Sequence, residues 1–189
     1  MRFVIAALLA LALAGCDKGK PGEPQESVSG IAKIDSSARG HEAPATPFLD
    51  AQDQPVTLAA FRGKPLIVNL WATWCAPCLK EMPALDRLAG QLDREGGKVR
   101  LIAVSVDIEG RRAVTPYFQR NAFKALKPYL DKDNVLPLGA NAAGLPVTLI
   151  YDAHGKELVR INGPLEWDGP EGRRVIEDAL KEQGDGTKA

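Results

Sequence analysis

Two nearly unbroken apolar runs, PLIVNLWA at 65–72 and VRLIAVSV at 99–106, constrain the fold of this chain more than any other feature. Each has the length of a strand and neither alternates strictly with polar residues, so each reads as a strand buried on both faces. Between them Leu79, Met82, Leu85, Leu88, Ala89 and Leu92 recur at helical spacing, over 76 to about 91, and Gly96-Gly97 ends that helix. Strand, helix and strand then form a right-handed parallel unit. Pro83 falls inside the helix and predicts a kink, since it lacks an N–H and its ring crowds the preceding turn.

Around this unit the signals are shorter. Residues 48–58 hold two brief apolar stretches around a turn-rich 50–54, which predicts a hairpin, followed by a short helical turn that Gly63 closes. Thr115 and Pro116 predict the start of a second helix running to about 125. Residues 147–151 and 157–161 flank Asp152-Ala153-His154-Gly155, a hairpin signal. A last helix over 170–183 takes Asp168 or Gly169 as its cap. The expected class is α/β: a central mixed sheet flanked by helices, with a β-hairpin extension on its N-terminal side.

The chain has 189 residues, enough for one domain with its own core, and its 24 Lys+Arg balance 24 Asp+Glu. That balance lacks the basic excess that nucleic acid demands, so nucleic acid is excluded as a partner. Three cysteines are too few for a disulfide-dense scaffold, and two histidines offer few ligands for zinc.

One of those cysteines belongs to the N-terminal signals. Residues 3–14 are all apolar, about 18 Å of helix against a hydrocarbon core of about 30 Å. With Arg2 before them, residues 1–15 read as a secretory signal peptide. Leu13-Ala14-Gly15-Cys16 resembles a lipoprotein box, in which Cys16 becomes the lipidated N-terminus, and Asp17 resembles the signal that keeps such proteins at the inner membrane of Gram-negative bacteria. Two or more acyl chains anchor stably. Residues 16–43, rich in Gly, Pro and Ser, read as a flexible tether with a reach of roughly 30 Å, in which 28–38 has room for a short helix. The folded domain is expected over 44–183, and 184–189 as a disordered tail.

The chemistry concentrates in WATWCAPC at 71–78, where the first buried strand meets its helix. Unpaired N–H groups and the dipole at a helix start favour a thiolate at Cys75, below the usual thiol pKa of about 8.5. Cys78, one turn on, lies within disulfide reach and faces inward, suited to resolving a mixed disulfide. Pro77 fixes the helix start without costing a needed N–H. A purely structural disulfide over so short a loop would remove little chain entropy. A zinc site would need His41 and His154 as further ligands, and covalent haem needs His where Leu79 stands.

WATWCAPC, the following KEMPAL at 80–85, Pro146 after Gly144-Leu145, and GPLEW at 163–167 resemble the membrane-anchored thioredoxin-like reductases of the TlpA type, relatives of ResA and the cytochrome c maturation thioredoxins. The resemblance spans about 46–182. It implies a thioredoxin-like fold and a protein-disulfide reductase with Cys75 attacking and Cys78 resolving, with no resident cofactor or metal. It implies a cis Pro146 facing the disulfide, with Leu145 offering backbone pairing to an extended substrate. Asn69 stands where thioredoxins have a buried acid, so that relay is expected to be absent. Glu81 matches a glutamate of the ResA-like proteins and is expected to exchange protons with the cysteine pair or raise its pKa. Trp74 is expected to shield the sulfurs and contact substrate, Trp71 to lie in the core, and His41 and His154 in loops.

The implied partners are a membrane-embedded thiol electron donor and a protein with a cysteine pair, either a copper-site protein or apocytochrome c. The chain is taken as a monomer, a lipoprotein facing the periplasm. Two other uses of the fold compete. A Sco-like copper carrier separates its cysteines by three residues and adds a distant His, whereas two residues separate Cys75 from Cys78; a DsbA-like oxidase runs the same chemistry in reverse. A peroxiredoxin needs Thr or Ser three residues before its nucleophile, where Ala72 stands.

Overall fold

The computed structural model describes residues 32–181. The expected signal peptide, Cys16, residues 17–31 of the tether and the tail at 184–189 lie outside the described residues. The elements are β1 (Lys33–Asp35), β2 (Phe48–Leu49), β3 (Pro55–Val56), a 3-10 turn (Leu58–Phe61), β4 (Leu66–Trp71), α1 (Ala76–Arg94), β5 (Arg100–Ser105), α2 (Arg111–Asn121), β6 (Pro128–Leu130), α3 (Val135–Gly139), β7 (Val147–Tyr151), β8 (Glu157–Asn162) and α4 (Pro170–Lys181). The described strands form one sheet in the order β1-β8-β7-β4-β5-β6-β2-β3.

The two apolar runs are the parallel centre of that sheet, β4 beside β5, with β7 antiparallel on the other side of β4. Every residue of β4 is buried, and its period of two divides it between two cores. Ile67 and Trp71 face one core with Met82, Leu85 and Leu88 of α1 and Val175 and Ile176 of α4. Leu66, Val68 and Leu70 face the other, with Phe48, Phe61 and Leu136. Helices flank the sheet as the residue pattern requires, and the expected hairpin is β2–β3, joined to β6 at the sheet's far edge.

Pro83 lies within a continuous α1. The carbonyl its missing N–H would have bonded, Leu79 O, accepts instead from the Tyr117 hydroxyl at 3.3 Å. A second helix supplies what the proline removed.

Two expectations need correction, and two short elements were not foreseen. The second helix begins at Arg111 rather than at Thr115-Pro116, so Pro116 is inside it. Gly110, at φ 55°, turns the chain into the helix early, and the burial of Val114 and Tyr117 at helical spacing outweighs the single bond that Pro116 forfeits. Ala122 in the left-handed region stops the helix before 125. The described part of the tether is not loose: Lys33–Asp35 is an edge strand against β8, and Gly40, His41 and Ala43 bond Glu157 and Gly155 through backbone. Nor do residues 33–35 form the short helix allowed over 28–38. This docking runs through backbone groups, with Ile34 left 56% exposed, so no apolar pattern announces it. Lastly, β6 and α3 had no counterpart in the sequence reading; β6 has three residues and α3 five, too short for either period to register.

Candidate active site

The chain leaves β4 at Trp71 and turns over Ala72–Thr73–Trp74, with the Cys75 N–H donating to Ala72 O at 3.2 Å. Cys75 is the N-cap of α1, with Pro77 in its first turn. Its sulfur accepts the Cys78 N–H at 3.3 Å, so an unpaired helix-start donor already points at the atom that would carry the thiolate charge. Cys75 and Cys78 form a disulfide, with Cα atoms 5.2 Å apart. Their accessibility differs: Cys75 keeps 6% of its surface and Cys78 none.

Trp71 and Trp74, three residues apart, have opposite environments. Trp71 is fully buried against Tyr117 and Phe118, as the pattern predicts. Trp74 is 69% exposed beside Cys75, a large apolar ring presented to solvent. The Leu145–Pro146 bond is cis. Pro146 O accepts the Gly163 N–H at 2.9 Å, whereas neither Leu145 N–H nor its carbonyl is bonded to backbone among the described residues. Both residues line a cleft of about 640 Å³ with Lys33, Asp35, Arg160 and Asn162.

Glu81 is 3% exposed and packs one turn beyond Cys78. Its Oε1 accepts from Asn69 Nδ2 at 2.8 Å, and its Oε2 from Leu165 N at 3.2 Å and Trp167 Nε1 at 3.1 Å. Burial pushes its pKa up to about 7, the three donors holding it back from going further. On the strand side this niche holds the neutral Asn69, and its acid, Glu81, comes from the helix. The same Asn69 Nδ2 also donates to Thr148 Oγ1 at 3.0 Å, which orients the amide.

Sequence reasoning missed the tail of this niche. Trp167 is fully buried and donates to Glu81, yet in the sequence it carried only a resemblance within GPLEW. Gly172 in α4 holds the answer to how it fits: a Cβ there would lie 2.6 Å from Trp167 O, so only glycine lets the helix start approach the tryptophan backbone. Asp107, a buried acid just after β5, was missed as well; its carboxyl bonds Thr73 in the turn before Cys75.

The histidines stay apart from the sulfurs. His154 sits in the β7–β8 turn, and Leu66 pairs with Tyr151. That turn therefore lies at the start of β4 and Cys75 beyond its end, about 20 Å away over six strand residues. His154 cannot join Cys75 and Cys78 as a copper ligand. His41, exposed in the loop before β2, lines the cleft. Among the described residues no three His, Cys, Asp or Glu side chains gather as a metal site, and no helix is long and apolar enough to cross a membrane.

Comparison with known proteins agrees with this geometry. Residues 39–160 match the model of the AhpC/TSA family. The thiol-disulfide oxidoreductase ResA of Bacillus thuringiensis subsp. konkukian is 32% identical over 124 residues, 66% of this chain and 69% of that protein. Among solved structures, a thiol:disulfide interchange protein DsbE from Chlorobium tepidum superposes with a TM-score of 0.63 at 19% identity, covering 76% of this chain and 96% of that one. A secreted Mycobacterium tuberculosis disulfide oxidoreductase homologous to E. coli DsbE gives 0.58 at 20% identity, over 70% and 96%. These two structures share the fold.

Proposed function

The chain belongs to the AhpC/TSA family and is a thiol-disulfide oxidoreductase of the ResA and DsbE type, and on that premise we propose that it reduces protein disulfides on the periplasmic side of the inner membrane. The observation that carries this reading is the inequality of the two sulfurs at the start of α1. Cys75 is the reachable one and accepts a helix-start N–H; Cys78 is sealed beneath it.

In the reduced enzyme the Cys75 thiolate attacks one sulfur of a substrate disulfide. A Cys75–substrate S–S bond forms, the substrate S–S bond breaks, and the first substrate thiolate leaves. Cys78, having lost its proton, then attacks Cys75. The intramolecular disulfide closes, the second substrate thiolate departs, and two electrons have passed to the substrate, whose thiolates take up two protons. Glu81, with a pKa of about 7 one turn beyond Cys78, is matched to receiving that proton near neutral pH. Leu145, whose N–H and carbonyl have no backbone partner among the described residues, offers an extended substrate edge pairing beside cis Pro146, and Trp74 supplies an apolar contact beside Cys75.

A dithiol in an oxidising compartment needs a continuing supply of electrons. A membrane-embedded thiol donor meets that need if lipidated Cys16 holds the domain near the bilayer, and the substrates are then cysteine pairs kept reduced for copper or haem, in a copper-site protein or apocytochrome c. Two measurements test the reading. Cys78→Ser should accumulate mixed disulfides through Cys75 while Cys75→Ser accumulates none; the reverse pattern overturns the assignment. The Cys75–Cys78 couple should be reducing, nearer about −270 mV than about −120 mV. A value at the oxidising end would make the enzyme an oxidase.

A further inference from the structure

We infer that Asp107 is the positioning residue for Cys75, holding the turn that aims its sulfur, an inference that rests on Cys75 being the attacking sulfur. The turn between β4 and α1 has little to fix it from within: Cys75 N–H to Ala72 O is its one backbone closure. The rest comes from the neighbouring strand. Asp107 Oδ2 accepts the Thr73 N–H at 2.9 Å, and Oδ1 accepts the Thr73 hydroxyl at 2.6 Å. Thr73 is thus held through backbone and side chain at once, two residues before Cys75.

Asp107 is itself anchored. It is 3% exposed, its Oδ2 also accepts from Ser105 Oγ at 2.6 Å, and its own N–H donates to that hydroxyl at 3.1 Å. Its carbonyl accepts the Gly110 N–H at 2.8 Å, tying it to the entry of α2. Three donors therefore converge on two carboxyl oxygens, and the Thr73 N–H among them can only donate. The two hydroxyls can also accept, so an amide of the same shape can keep these bonds while it removes the charge, whereas a methyl side chain keeps none of them.

The consequence falls on the sulfur. Cys75 Sγ lies 3.3 Å from the Cys78 N–H only while the turn delivers it to the end of the helix. Once Thr73 is released the sulfur loses that alignment, and with it both thiolate stabilisation and the direction of attack. Charge works in the opposite sense, since a nearby carboxylate disfavours a thiolate. Positioning and charge can therefore be told apart by the sign of one shift.

The experiment uses the full chain, reduced, with alkylation of Cys75 followed residue by residue by mass spectrometry across pH. It is paired with the rate of attack on glutathione disulfide and with thermal denaturation. Asp107→Ala should raise the Cys75 pKa and slow attack at pH 7 by about 10- to 100-fold, whereas Asp107→Asn, which can keep the bonds without the charge, should do neither. Thr73→Val, which keeps the backbone N–H but loses the hydroxyl, should move both readouts the same way by less, and Thr73→Ser should restore them. A lowered Cys75 pKa in Asp107→Ala would show that only charge mattered, and an unchanged pKa and rate with a lower melting temperature would show a scaffold role; either overturns the inference. If Cys75 of the unaltered protein is itself the slower thiol to alkylate, the attacker assignment fails first and carries this inference down with it.

Discussion

Glu81 and Glu157 are equally buried, each 3% exposed, and are held in opposite ways. Glu157 in β8 is gripped by Arg160, whose Nε and Nη2 each lie 2.6 Å from a carboxyl oxygen, and Arg160 also donates to Asn141 O. Glu81 in α1 receives an amide, a backbone N–H and an indole, none of them charged. Without a cation, burial prevails and the Glu81 pKa rises to about 7. The molecule thus has one buried carboxyl locked to its own counter-ion on the strand that supports the cleft, and another, one turn beyond Cys78 in sequence, held by neutral donors alone.

The largest effect should come from breaking the locked pair. Arg160→Met leaves Glu157 in the same low-dielectric place with no partner, and loss of one member of a buried pair costs about 3–5 kcal/mol. Denaturant unfolding should show that loss, and adding Glu157→Gln to Arg160→Met should recover most of it. Failure to recover would mean that Arg160 acts by its packing and its bond to Asn141 rather than by countering Glu157.

A smaller and pH-dependent effect belongs to Glu81. Its folded pKa lies above its ordinary value, about 7 against 4.5, so between those values the folded chain keeps a proton that the unfolded chain has released. Stability from this source is complete below about 4.5 and is lost as pH rises through about 7, some ~3 kcal/mol across the window. Melting temperatures of the oxidised protein from pH 5 to 8 should therefore decline more steeply than those of Glu81→Gln. Parallel curves would place the titration elsewhere. If Glu81 takes the Cys78 proton as proposed, Glu81→Gln should slow closure of the Cys75–Cys78 disulfide more than the first attack in turnover, since that proton leaves in the closing step.

What the sequence disclosed follows from how each region is built. β4, α1 and β5 were legible because burial on both faces or one face imposes a long regular pattern, and the cysteine pair was legible because its spacing is local. Glu81 could be named but not placed, since its niche is assembled from Asn69, Thr148, Leu165 and Trp167, residues up to 86 positions away. Asp107 and Thr73 are 34 residues apart and each looks ordinary alone. The edge strand at 33–35 attaches by backbone hydrogen bonds, which any residue can accept and any but proline can donate. Long-range polar contacts and backbone pairing leave no periodic trace.

The smallest test returns to the helix that carries Glu81. Pro83 leaves Leu79 O without its helical partner, and the Tyr117 hydroxyl takes it from α2. Tyr117→Phe removes that donor and keeps the ring against Trp71, so the expected cost is one hydrogen bond, about 0.5–1.5 kcal/mol. Because the Tyr117 hydroxyl is not among the donors to the Glu81 carboxyl, the slope of stability between pH 5 and 8 should stay that of the parent. A flattened slope would mean that the bond to Leu79 holds the whole turn of α1 in place, and that the contrast between Glu81 and Glu157 depends on helix geometry as much as on charge.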